Sequence, residues 1–143
     1  MKIQVLVVCK ANFCRSPVGH KLLDSMSSKN IQVDSCGLFN FSKEHMHKYS
    51  EEYLKSIGLP YQHKTKEISE AIVDESNLIY CFDDEILAGI ITKFPHATAK
   101  TYKLIDEKNI FDPISAGEKK YFKTMEEINQ ACSLIADKLN SIY

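Results

Sequence analysis

The chain is short of several things, and each shortage narrows what it can be. No apolar run approaches the roughly 18 residues that a membrane-spanning helix requires, so no membrane insertion is expected. Neither sign of charge dominates: 18 Lys and Arg oppose 19 Asp and Glu, which leaves no basic footprint for nucleic acid. The five cysteines (Cys9, Cys14, Cys36, Cys81, Cys132) contain no C-x2-C pair, and the histidines add no zinc-ligand spacing. Neither a metal nor a cofactor is expected. Odd in number and set in apolar segments, the cysteines read as reduced thiols rather than a disulfide framework. No repeat, low-complexity tract or linker interrupts the 143 residues, and Met1-Lys2-Ile3 runs into a strand-like segment without a signal-peptide pattern. These absences predict a single cytoplasmic domain over residues 1–143, long enough for a core without staples.

Arginine is the scarcest of the charged residues. Among 18 basic side chains, only Arg15 is an arginine. In a chain that otherwise uses lysine, one arginine marks a place where a planar, two-pronged donor is required.

Hydrophobic patterning supplies the frame. Ile3 to Val8 is an almost continuous β-branched run, suited to a strand covered on both faces. Ser16-Pro17 reads as a helix start, with Ser16 as N-cap, and Val18, Leu22, Leu23 and Met26 form its inner face. Ile31 to Ser35 predicts a second strand, followed by a surface loop over 38–45. A helix is predicted from Met46 to Ile57, ended by Gly58 and Pro60. Leu78 to Phe82 and Ala99 to Leu104 read as strands three and four, with a helix carrying Ile86, Leu87, Ile90 and Ile91 between them. A polar loop over Asp106–Gly117 precedes a long amphipathic helix with Phe122, Met125, Ile128, Cys132, Ile135 and Leu139 at helical spacing. Strands alternating with helices imply an α/β fold with a parallel sheet and right-handed crossovers. Ligands in such folds bind beyond the C-terminal strand ends, so the loops after Val8, Ser35, Phe82 and Leu104 should meet.

The first of those loops reads Cys9-Lys10-Ala11-Asn12-Phe13-Cys14-Arg15-Ser16-Pro17. Backbone N–H groups of a loop curled at a helix N-terminus make an anion cradle. The same field favours the thiolate of Cys9, and Arg15 matches two phosphoryl oxygens. C-x5-R alone is a short pattern, and a buried structural cysteine is the plain alternative. The strand before it and the Ser-Pro helix start after it favour the chemical reading.

With its flanks, this segment resembles the signature V-C-x-G-N-x-C-R-S-P of the low-molecular-weight protein tyrosine phosphatases, standing here as Val8 to Pro17. Val33-Asp34-Ser35-Cys36-Gly37 looks like that family's D-S-A-G turn. His63 to Lys66 looks like its H-x-A-R stretch, and Asp112-Pro113 like its D-P loop. The resemblance implies a four-stranded parallel sheet in the order 2-1-3-4 with helices on both faces, a three-layer α/β domain. It implies hydrolysis of phosphotyrosine through a phosphocysteine. Cys9 would be the nucleophile, Arg15 the phosphate binder and Asp112 the general acid and base. Residues Lys10, Ala11, Asn12, Phe13, Cys14, Arg15 and Ser16 would form the phosphate loop, braced by Asn12, Ser16, Ser35 and His63. Cys14 would protect Cys9 through a reversible disulfide. The implied partner is a tyrosine-phosphorylated protein, a bacterial tyrosine kinase among the candidates. Without the resemblance, Asp112-Pro113 reads as an ordinary turn, and Cys14 as a small core residue.

Three positions depart from the pattern. Ala11 replaces a glycine, which matters only if that residue needs a positive φ. Ile114-Ser115 replace aromatic residues, so Phe13, Phe39, Phe41 and Ile114 are the candidates for the substrate slot. Phe39 and Phe41 read equally well as loop anchors. Relatives acting on phosphoarginine carry a small polar residue where Phe13 stands, and a bulky phenylalanine favours a flat aryl ester. Two other readings are weaker. A thioredoxin-coupled arsenate reductase needs a second relay cysteine about seven residues after Cys81, and position 88 is alanine. A non-catalytic anion-binding module would usually have lost the nucleophile or the acid, and both are present.

Overall fold

A computed structural model describes residues 2–40 and 44–143. Strand β1 (Ile3–Cys9) is the centre of the sheet. It pairs in parallel with β2 (Ile31–Gly37) on one side, Ile3 facing Ile31, and with β3 (Leu78–Cys81) on the other, Val5 facing Leu78. The short strand β4 (Thr101–Lys103) closes the far edge beside β3. The order is therefore β2-β1-β3-β4, all parallel, as the resemblance implies. Val5 to Val8 are buried on both faces, which is why that strand reads as continuous rather than alternating.

Helix α1 (Ser16–Met26) packs with α5 (Glu118–Ile142) and with α2 (Lys48–Ser56), burying Val18, Leu22 and Leu23 against Met125, Ile128 and Cys132 of the common core. Helix α4 (Asp84–Lys93) packs with β4 and a 3-10 turn over Pro95–Lys100. No helix among the described residues is long and apolar enough to cross a membrane.

Several boundaries shift for identifiable reasons. Helix α2 starts at Lys48, not Met46, because His47 caps it: its Nδ1 accepts the Tyr49 amide at 3.0 Å. Gly58, at φ +74°, ends that segment as expected. A helix that the patterning misses, α3 (Glu70–Glu75), is one and a half turns long and rests on its Ser69 cap, whose hydroxyl accepts the Ile72 amide at 3.2 Å. In α5 the first fully buried ring is Tyr121, while Phe122 is only half-buried. Ser16 is not the N-cap of α1. Arg15 holds that place, and the Ser16 hydroxyl is engaged by Cys9 and Asn12 instead.

Candidate functional site

The loop between β1 and α1 is shaped by where its carbonyls go. The Cys9 oxygen accepts from the Leu38 amide at 3.0 Å, and that of Lys10 from Phe39 at 3.1 Å. The Phe13 oxygen accepts from the His47 amide at 2.9 Å, the Cys14 oxygen from Ser50 Oγ at 2.8 Å, and the Arg15 oxygen from Gly19 at 3.0 Å. The Asn12 oxygen faces His63 Nε2 at 3.2 Å. Six of the seven carbonyls from Cys9 to Arg15 are thus held by surrounding elements. In a trans peptide the next residue's N–H points the opposite way. The amides of Lys10, Ala11, Phe13, Cys14, Arg15 and Ser16 are therefore turned into the loop, the arrangement that binds an oxyanion.

Asn12 is the hinge of this shape. It is fully buried, and its φ of +55° is the one left-handed value at a non-glycine among the described residues. Ala11 therefore carries no such strain, which answers the question raised by its replacing glycine. Gly37, at the end of β2, lies so close behind the loop that a Cβ there would stand 2.6 Å from the Ala11 carbonyl carbon. Only glycine permits that approach.

Cys9 is 3% exposed, and its Sγ lies 2.9 Å from Ser16 Oγ. Asn12 Nδ2 donates to Ser16 Oγ at 2.8 Å and to Ser35 Oγ at 3.1 Å. Its Oδ1 accepts from the Lys66 amide at 3.1 Å and from His63 Nε2 at 3.0 Å. The four residues expected to brace the loop, Asn12, Ser16, Ser35 and His63, form one connected network. The side chains of Asn12 and Ser16 stand behind the loop and do not line the cavity in front of it.

Arg15 is 2% exposed and anchored at one end of its guanidinium. Nη1 donates to Asp83 Oδ2 and to the Ile110 oxygen, each at 2.8 Å, and the group lies 5.5 Å from the centre of the Phe82 ring. Nη2 is 3.7 Å from Asp112 Oδ2. Asp83 also caps α4 through the Ile86 amide at 2.8 Å. Its work as an anchor for Arg15 is not assigned by the sequence patterning. The signal was its place just past a strand end, level with the loop.

In front lies a cavity of about 200 Å³ lined by Cys9, Lys10, Ala11, Phe13, Cys14, Arg15, Phe39, Asp112 and Ile114. It brings together the expected nucleophile, phosphate binder and acid, together with three of the four expected slot residues. Phe41 lies outside the described residues. Asp112 Oδ1 accepts the Ile114 amide at 3.2 Å, so the ordinary Asp-Pro turn is present as well. A larger groove of about 960 Å³ follows residues 108–111 and the start of α5, but its mixed Lys and Glu lining contains no cysteine.

Burial separates the thiols. It pushes Cys14, Cys81 and Cys132 up to about 12 and Cys36 upward too, so these remain protonated near neutral pH. Cys14 also bonds to Tyr121, whose hydroxyl meets Ser50 Oγ at 2.6 Å. Outside the cavity, exposed Glu70, Asp74 and His96 have polar atoms within 4.8 Å of one another, with His96 Nε2 bonded to Asp74 at 2.9 Å.

The fold and loop define a class: parallel α/β chains with a cysteine-arginine anion loop after the first strand. Within it, the family model of the low molecular weight phosphotyrosine protein phosphatases matches residues 4–142, and the chain belongs to that family. It is 24% identical to a protein-arginine-phosphatase of Geobacillus stearothermophilus over 146 residues, covering 99% of both chains. It is 26% identical to a putative low molecular weight protein-tyrosine-phosphatase of Klebsiella pneumoniae, covering 96% of this chain and 97% of that one. The solved YwlE arginine phosphatase from Geobacillus stearothermophilus superposes with a TM-score of 0.92 at 24% identity, covering 97% of this chain and 94% of that one.

Proposed function

We propose that the chain is a metal-independent phosphoric monoester hydrolase acting on phosphotyrosine in proteins. The observation that carries this reading is the convergence of Cys9, Arg15 and Asp112 on one small cavity in front of the inward-turned amides. Cys9 thiolate attacks phosphorus in line with the leaving oxygen. The loop amides and the Nη2 edge of Arg15 balance charge on the equatorial oxygens. Asp112, across the cavity and part-exposed, protonates the leaving phenolate and then takes a proton from the water that cleaves the phosphocysteine. Ser16, 2.9 Å from Sγ, stabilises the thiolate as the entering and leaving group.

The slot walls favour an aryl ester. Phe13 and Phe39 offer flat apolar surface and Ile114 an aliphatic wall, whereas a guanidinium would enter beside Lys10 and Arg15 with Asp112 as the one carboxylate. The likeness to an arginine phosphatase keeps phosphoarginine as the second reading. The two separate by turnover of a phosphotyrosine peptide and a phosphoarginine peptide at equal concentration, with EDTA and reductant present. Faster release from phosphotyrosine, lost in Cys9→Ser, is the expected result. Faster release from phosphoarginine, or activity surviving Cys9→Ser, overturns it. A tyrosine-phosphorylated kinase is a fitting protein partner to assay next.

A further inference from the structure

The network behind the phosphate loop fixes the position of its own protons, and it does not end at the residues named so far. Lys66 N–H can only donate, so the Asn12 atom it meets is Oδ1 and the amide group facing the serines is Nδ2. Both Nδ2 protons are then taken by hydroxyls, those of Ser16 and Ser35. Each hydroxyl must place its own proton elsewhere. Ser16 has Cys9 Sγ at 2.9 Å, much nearer than its other acceptor, the Cys36 oxygen at 3.5 Å. Ser35 has His20 Nδ1, also at 2.9 Å. For every bond to be made, His20 accepts at Nδ1 and keeps its proton at Nε2.

We propose that His20 is a positioning residue for the reaction: its bare Nδ1 accepts a hydrogen bond from the Ser35 hydroxyl, which locks the Asn12 amide and thereby directs Ser16 to donate to Cys9. This rests on Cys9 being the nucleophile, as proposed above. The order of donation is Asn12 to Ser35 to His20 on one branch and Asn12 to Ser16 to Cys9 on the other. A proton on Nδ1 would remove the acceptor for Ser35 and leave a buried hydroxyl with no place for its hydrogen, which loosens Asn12. The surroundings keep that proton away. Burial foremost, then Lys21 on the same helix and His63 and Lys66 on the 63–66 segment, against a single opposing carboxylate at Asp34 of β2, bring His20 down to about 4. The ring is therefore neutral across the working range, and His63, 6.4 Å away edge-on, is held down similarly by burial.

The test reads Cys9 directly, with a phosphatase assay run beside it. Alkylation of the full chain by iodoacetamide is followed against pH at the Cys9 peptide by mass spectrometry, for wild type, His20→Leu, His20→Asn, Ser35→Ala and the His20→Leu/Ser35→Ala double variant. His20→Leu is expected to move the midpoint of the profile up by about one pH unit and to lower kcat/KM about tenfold. His20→Asn, whose side-chain oxygen reaches the Nδ1 position, is expected to recover most of both, and His20→Leu to add nothing once Ser35 is alanine. An unmoved midpoint in His20→Leu, an equal defect in His20→Asn, or additive effects in the double variant overturn the proposal. Nitrogen-15 shifts of the His20 ring in the folded wild type test the tautomer without any substitution, and a protonated Nδ1 overturns it too. If alkylation behaves as expected while no phosphate ester is hydrolysed, the proposed function fails and His20 does not.

Discussion

The two sides of the cavity are built to different standards. The inner side is almost sealed at the residues placed for chemistry: Cys9, Asn12, Arg15 and Ser16 are each 3% exposed or less, and the network assigns partners to all four amide sites of Asn12. The outer side is open. Phe39 is 58% exposed, Ile114 41% and the Asp112 side chain 36%. Chemistry needs fixed atoms, and the inner side fixes them by burial and bonding. The proposed recognition of protein substrates asks only for a contact area, and the outer side supplies apolar side chains without locking them.

If that contrast is correct, substitutions should rank by side. Cys9→Ser is expected to abolish turnover outright, and Arg15→Lys to cost about a thousandfold in kcat, because an ammonium cannot reach Asp83, Ile110 and the phosphoryl group together. Gly37→Ala, which touches no substrate, is expected to fall nearly as far, since its Cβ meets the loop backbone rather than a flexible side chain. A Gly37→Ala enzyme with ordinary kcat would break the comparison. Asp112→Asn should lower kcat about a hundredfold at unchanged fold, read by thermal melting alongside the assay. Phe39→Ala should change KM a few-fold and leave kcat alone. A large kcat loss there would mean the open side also aligns the reaction.

The inner side also sets a pH dependence of stability. His20 and His63 titrate near 4 in the fold and near 6.5 when unfolded, so the unfolded chain binds more protons between those values. Their contribution to stability is whole above about pH 6.5, falls as the pH drops toward 4, and levels off below. Denaturant midpoints measured at pH 7.5 and 5 should show this fall, and His20→Asn should make it shallower by one proton's worth of slope.

How much of this was legible beforehand follows from what sequence can encode. The strands, the helices between them and the loop after β1 were readable because long apolar periods and C-x5-R within a Ser-Pro context are local signals, whereas the sheet order followed from the family resemblance. Arg15 stood out by scarcity alone. The helix at Glu70–Glu75 was not readable, being short and dependent on one Ser69 cap. Asp83, His20 and Tyr121 were not readable as site residues, because their roles exist only once β3, α1 and α5 have met at the loop. Ser16 shows the limit most clearly: a good N-cap residue by rule, it is drawn instead to a thiol seven positions earlier.

The loop's closure has a kinetic side. Its partners lie far along the chain: Asn12 joins Lys66 across 54 residues, Arg15 joins Asp83 across 68, and Arg15 joins Ile110 across 95. Contacts that distant cost loop-closure entropy before they return any stability. The anion cradle therefore forms late in folding, after the sheet has gathered β1, β2 and β3. In a nascent or partly folded chain the proposed nucleophile, Cys9, lacks the cradle that would activate it, so on that proposal reactivity arrives only with the finished fold.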